Sequence, residues 1–166
     1  MFLEEIFPTP IWGFDLNMDV DSIKYWCYSC MKENPGRVIS NVGGWQSEDY
    51  REFGNTPLTE LVLYIVRESH NIANDIGIPK GDRWIENLWL NINPKYSYNQ
   101  VHVHPEARLS GVFYVSAPEN SGDICFTRTG GYALGTVAPN STRYSSCEWC
   151  YPPKKNRLLI FPAWQE

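Results

Sequence analysis

The 166-residue chain contains three histidines, and two of them, His102 and His104, are one residue apart. In an extended segment, side chains at i and i+2 project from the same side, which brings the two imidazoles close together. Neutral imidazoles so placed form a chelating pair for Fe, Zn, Cu or Ni. Pro105 follows at once and stops a strand, which puts the pair at a strand end, where the mouth of a cavity is usual. Glu106 lies two residues beyond His104 and could add a carboxylate. The same spacing also fits two surface histidines beside a turn. His70 falls within a helical pattern and reads as a polar-face residue.

The cysteines offer a second chemistry. Cys27-Tyr-Ser-Cys30 and Cys147-Glu-Trp-Cys150 have the spacing of a four-thiolate zinc site. Against that reading, Cys27 and Cys30 fall on the apolar stripe of a helix, where thiols serve as small core residues. No βαβ pattern surrounds either pair, so a thioredoxin-like role is not indicated. Gly43-Gly44 and Gly130-Gly131 lack the Gly-Lys-Ser/Thr ending and the following helix of a phosphate loop. No Ser/His/Asp or Cys/His nucleophile arrangement is present. Lys154-Lys155-Asn156-Arg157 reads as a solvated turn before a strand.

These residues need elements to hold them. Thr9 to Leu16 alternates enough for an edge strand. Ile23, Trp26, Cys27, Cys30 and Met31 recur at helical spacing behind Asp19 and Asp21, either of which can cap the helix, and Pro35-Gly36 ends it. Thr56-Pro57 reads as an N-cap followed by proline at the first helical position. Leu58, Leu61, Ile65 and Ile72 then form an apolar stripe that stops at Gly77. From Trp84 to Asn93 the composition predicts a long central strand. Strands are also expected at Val101–His104, Leu109–Val115, Asp123–Phe126 and Arg157–Phe161, with a turn at Glu119–Gly122. Two helices followed by consecutive short strands suggest an α+β, mainly β domain, with the helices laid on one face of a β-sandwich or jelly roll.

Composition narrows the function classes. A hydrophobic share of 43% with 20% charged residues is ordinary for a globular protein and supports one domain over 1–166. The net charge of −5 argues against a nucleic-acid partner. No apolar run has the length of a membrane span. The first residues show neither a basic leader nor an apolar core, which favours the cytoplasm, a reducing compartment, and five cysteines kept as thiols. The aromatic share of 14% reads as filling for a β-rich core.

Several segments in succession carry a resemblance. They are Leu88-Trp-Leu-Asn-Ile-Asn-Pro94, His102-Val-His-Pro105, Leu109-Ser-Gly-Val-Phe-Tyr-Val115, Gly122-Asp-Ile-Cys-Phe126 and Leu158-Leu-Ile-Phe-Pro-Ala-Trp164. Together they resemble the small 2-oxoglutarate/Fe(II)-dependent oxygenases common in phages and marine bacteria. Asn41-Val-Gly-Gly-Trp-Gln-Ser47 is similar to that family too, so the likeness runs from about Thr9 to the end. Its most specific part is His-x-His-Pro followed by Ser-Gly-Val-x-Tyr.

The resemblance implies a double-stranded β-helix with the N-terminal helices packed on one sheet. It implies a dioxygenase that holds Fe(II), with 2-oxoglutarate as cosubstrate. By strand register His102 matches the first metal ligand, and His104 falls where the wider superfamily has a carboxylate. Either the site is His-rich or the register moves to His104 and Glu106. Tyr114 matches a tyrosine that contacts the cosubstrate carboxylate, and Asn93 falls at another polar contact. The distal iron-binding histidine and the 2-oxoglutarate-binding arginine of the family would come just after Glu166. The expectation is therefore a domain lacking its last strand or strands, prone to form a homodimer through the exposed edge. The substrate would be a small molecule or a peptide, met in the cytoplasm, or in the host cytoplasm if phage-encoded. Two other readings fit the residues: a cupin-like metal enzyme without 2-oxoglutarate, and a non-catalytic β-sandwich binding or virion-associated protein.

Overall fold

The computed structural model describes residues 1–79, 85–128 and 142–166. Trp84, the expected start of a long strand, and Gly130-Gly131 lie outside these residues. The described chain is mainly β, with small sheets and two helices; a closed barrel is not among its elements. No described helix is long and apolar enough to cross a membrane. The chain divides into two compact units, one of Met1–Leu16 with His102–Glu166 and one of Asn17–Val101.

The first unit is built on one strand. Arg157–Pro162 (β9) lies between Trp12–Asp15 (β1) and Leu109–Phe113 (β6), antiparallel to both. β1 is the edge strand its sequence suggested. Leu158, Leu159, Ile160 and Phe161 are all buried, so both faces of β9 are covered. That explains its unbroken apolar run, because a strand buried on both sides has no need to alternate. Ile124–Thr127 (β7) and Glu148–Tyr151 (β8) form a separate antiparallel pair. Phe126 of β7 sits edge-on to Phe161 of β9, with ring centroids 4.9 Å apart, and joins the pair to the sheet's core. At the turn into β9, Lys154 and Arg157 both reach Asp15, 2.7 and 2.8 Å away.

β8 was not foreseen, because Cys147-Glu-Trp-Cys150 reads as a chelate before it reads as a strand. The register places Cys150 opposite Cys125, and the two form a disulfide. The expectation of five thiols is thereby corrected: Cys27, Cys30 and Cys147 are the free ones. Cys150 is paired across the hairpin, with β7, and not along the chain with Cys147.

The second unit holds both helices. Val20–Glu33 (α1) starts behind Asp19, whose carboxylate accepts the backbone N–H groups of Asp21 and Ser22. Val20, Ile23 and Cys27 are its buried residues; of the expected stripe Ile23 and Cys27 are buried, and Trp26, Cys30 and Met31 are half-buried. Burial pushes the Cys27 thiol up to about 11, as expected of a core residue. Gly36, at φ 74°, ends the connection beyond the helix; a Cβ there would meet the Trp45 indole at 2.5 Å. Thr59–Asp75 (α2) begins later than its sequence suggested. Thr56 is not the cap: its hydroxyl accepts from the Leu58 N–H in a local turn, and the helix starts one residue beyond Leu58. His70 is half-buried with Nε2 shielded from solvent, so it does not lie on an open polar face.

The strands of this unit are short. Asn41–Val42 (β2) pairs with Tyr98–Asn99 (β5), and Trp45–Gln46 (β3) with Asn91–Ile92 (β4). The long strand expected to reach Asn93 is therefore interrupted. Gln46 pairs with Asn91, yet Tyr50 pairs with Leu88, so one side advances one residue more than the other. That extra residue is a bulge. At the bulge the Ser47 hydroxyl, not a backbone carbonyl, accepts the Leu90 N–H at 2.9 Å.

Candidate functional site

The histidine pair is positioned by the end of β9. Just beyond that strand, the Ala163 carbonyl accepts the His104 N–H at 2.9 Å, and the Ala163 N–H donates to Arg108 at 3.1 Å. These bonds carry the β6–β9 pairing past the strand ends. His104 then opens a turn closed by the Ala107 N–H at 3.1 Å, with Pro105 and Glu106 at its centre. Proline suits the first central position of such a turn. Val101–His104, expected as a strand, lies outside any named one, with a bend at Val101. The ladder bond comes only at His104, because Pro105 has no N–H to continue it.

The two imidazoles are nevertheless brought together. Their ring centroids lie 4.9 Å apart and the planes are nearly perpendicular, at 79°. His102 is exposed and His104 half-buried. Burial, and then the neighbouring His102, lower the pKa of His104 below the ordinary histidine value. A neutral imidazole keeps a lone pair for a metal, and this environment favours the neutral form.

Glu106 is exposed in the turn. Among the described residues, no third His, Cys, Asp or Glu atom joins the two histidines within 4.8 Å. The one trio at that spacing is elsewhere, at Cys125, Glu148 and Cys150. Sequence reasoning missed this trio because it grouped cysteines by intervals along the chain. The grouping depends on the register of β7 against β8, which spacing along the chain does not carry.

Tyr114 directly follows β6. Its N–H donates to Arg157 at 2.9 Å, and its carbonyl accepts from Asn156 at 2.8 Å, so backbone pairing fixes it. Burial, with a contribution from the Asp123 charge, pushes its phenol up to about 12. It is therefore a neutral hydroxyl that can donate a hydrogen bond to an anion. Asn93 belongs to the other unit. Its Nδ2 donates to Asn99 at 3.0 Å, and its Oδ1 covers Gly44, where a Cβ would collide with it.

No curated protein matches the chain. Residues 87–166 match the model of a family described as "Putative 2OG-Fe(II) oxygenase", a span that holds the histidine pair, Glu106, Tyr114, Asn93 and every strand from β4 to β9. Asn41–Ser47 and both helices precede the match. Over residues 87–166 the chain is thus similar to a 2OG-Fe(II) oxygenase family, in line with the resemblance its sequence carries.

Proposed function

We propose that the chain serves as an Fe(II)- and 2-oxoglutarate-dependent oxygenase that hydroxylates a small-molecule or peptide substrate. The observation that carries this reading is the histidine pair, 4.9 Å between centroids, within the segment that matches the family. The donor chemistry fits: two imidazoles, one of them held toward its neutral form by burial, suit a divalent metal of the iron–zinc series.

His102 and His104 would hold the metal, and Glu106 is the nearest carboxylate in sequence to complete or replace one of them. Bound with 2-oxoglutarate, Fe(II) supplies the O2-dependent chemistry in which the cosubstrate becomes succinate and CO2 and a substrate C–H becomes C–OH. The chain's own groups bind and orient. The Tyr114 hydroxyl, kept neutral, would donate to a cosubstrate carboxylate. Asn93 is included on the resemblance alone. The bonds from Ala163 to His104 and Arg108 keep the His104 backbone fixed against β9, which holds one donor rigidly while His102 stays open to solvent.

The test is Fe(II)-dependent succinate formation from 2-oxoglutarate by the full chain, alongside calorimetric metal titration. His102→Ala and His104→Ala should each abolish succinate and weaken metal binding at least tenfold. Glu106→Gln should do the same only if the carboxylate is a ligand. Metal binding without 2-oxoglutarate binding would point to the cupin-like reading. No metal binding at the histidines would sink the proposal.

A further inference from the structure

The outward face of the β7–β8 hairpin gathers three groups of metal-ligand type. Cys125 stands opposite Cys150, and Thr127 opposite Glu148. Residues two apart share a face, so Glu148, Cys150 and Cys125 all lie on one side of the hairpin. The other side carries Phe126, which is buried and in ring contact with Phe161 and Tyr151. That packing fixes which face looks outward. The sulfurs of Cys125 and Cys150 and a Glu148 oxygen all lie within 4.8 Å of one another. Glu148 Oε1 is 3.2 Å from the Cys150 sulfur.

We propose that Cys125, Glu148 and Cys150 form a redox-gated site for a thiophilic divalent cation, Zn2+ foremost. The disulfide is its closed form and the reduced dithiol its binding form. A small dithiol opens it: the reductant's two thiols become a disulfide, the bond between Cys125 and Cys150 breaks, and both sulfurs take up protons. Cation binding then releases those two protons and leaves two thiolates and a carboxylate on the metal. This donor set suits zinc, with water at the fourth position. In a tetrahedral site with metal–sulfur bonds near 2.3 Å the sulfurs sit about 3.8 Å apart, a separation that side-chain rotation can supply. Cys147 is not part of the site. It lies in a bend just before β8 and outside the group of three ligand atoms, with its carbonyl bonded to the Arg128 N–H at 2.7 Å.

The site is independent of the histidine pair and is tested without reference to oxygenase activity. The full chain carrying His102→Ala and His104→Ala would be reduced with a dithiol, desalted under nitrogen and titrated with Co2+, then Zn2+. One equivalent of Co2+ should produce a near-ultraviolet thiolate-to-cobalt band that Zn2+ removes, and the unreduced chain should produce none. Cys125→Ser and Cys150→Ser should each lose the band, and Glu148→Gln should weaken binding about tenfold. Cys147→Ser and Cys27→Ser should keep it. Absence of the band in the reduced chain, or its loss in Cys147→Ser, would overturn the proposal. Should the serine variants fail to fold, alkylation mapping on the same reduced chain decides. Zn2+ must protect Cys125 and Cys150 from iodoacetamide, and unchanged labelling of that pair also overturns the site.

Discussion

The two units solve the same problem, holding strands together, by different means. The first is organised by an apolar strand: β9 is buried on both faces and pairs on both edges. The second contains paired strands of only two residues, and polar side chains stand in for the missing ladder. Asn41, Gln46 and Ser47 are each at most 3% exposed. The Asn41 carboxamide accepts the Ile39 N–H and donates to the carbonyls of Arg37 and Gly44. Arg37 pairs with Asp49, and Asn87 donates to the same carboxylate. A long strand satisfies its backbone with its neighbours, whereas a bulged and turning one requires side chains to do so.

If that contrast holds, truncation should be most damaging in the apolar unit. Leu158 is 2% exposed and stands between Phe14 and Phe113 in the sheet. Leu158→Ala should cost about 3 kcal/mol in urea unfolding, from lost transfer energy and the cavity left behind. A loss below about 1 kcal/mol would mean that β9 is not the organiser of its unit.

The second unit should respond instead to loss of a polar group. Asn41→Ala strips three backbone groups of their partner, at a cost of about 2 kcal/mol. Asn41→Asp keeps the acceptor for Ile39 but not the two donations, and should fall between wild type and alanine. Equal stability of all three proteins would erase the distinction between the units.

The smallest effect should come from the ion pairs at the turn into β9. Arg157 and then Lys154 hold the Asp15 carboxyl well below the usual carboxylate range. Because the folded-state value is depressed, the contribution is complete above the unfolded pKa, about 4, and is lost as pH falls below it. Asp15 is exposed, so water and salt screen the interaction. The stability gap between wild type and Asp15→Asn should be small at pH 7 and low salt. It should shrink in high salt and shrink again below pH 4; a gap that ignores both would rule out an electrostatic origin.

The same contrast explains what the sequence made visible. β1, β6, β7 and β9 were legible because their apolar residues face a core, and α1 because Asp19 caps an amphipathic stripe. The segment ending at Asn93 has equally apolar residues, but composition does not report a bulge, nor the Ser47 hydroxyl that takes a carbonyl's place. The histidine pair was legible because two residues so close in sequence remain neighbours even though no strand forms there. The cysteine pairing was not, because it depends on register across β7 and β8. Spacing along one strand cannot supply that.

The central place of β9 also sets an order in time. Trp12 has to wait for Ile160, and among the described strands β6 likewise pairs with β9 alone. During synthesis, neither flanking strand can acquire its hydrogen-bonded neighbour before residues 157–162 exist. The Asn17–Val101 unit draws every pairing of its strands from within its own span. It can complete those pairings while the later strands are still being made. Closing a contact between such distant parts of a chain is slow, and the apolar residues of β1 and β6 stay uncovered in the interval. The segment that anchors the histidines thus assembles after the Asn17–Val101 unit can, and a ribosome pause before residue 157 would leave the candidate metal site unbuilt on a chain whose other unit is already paired.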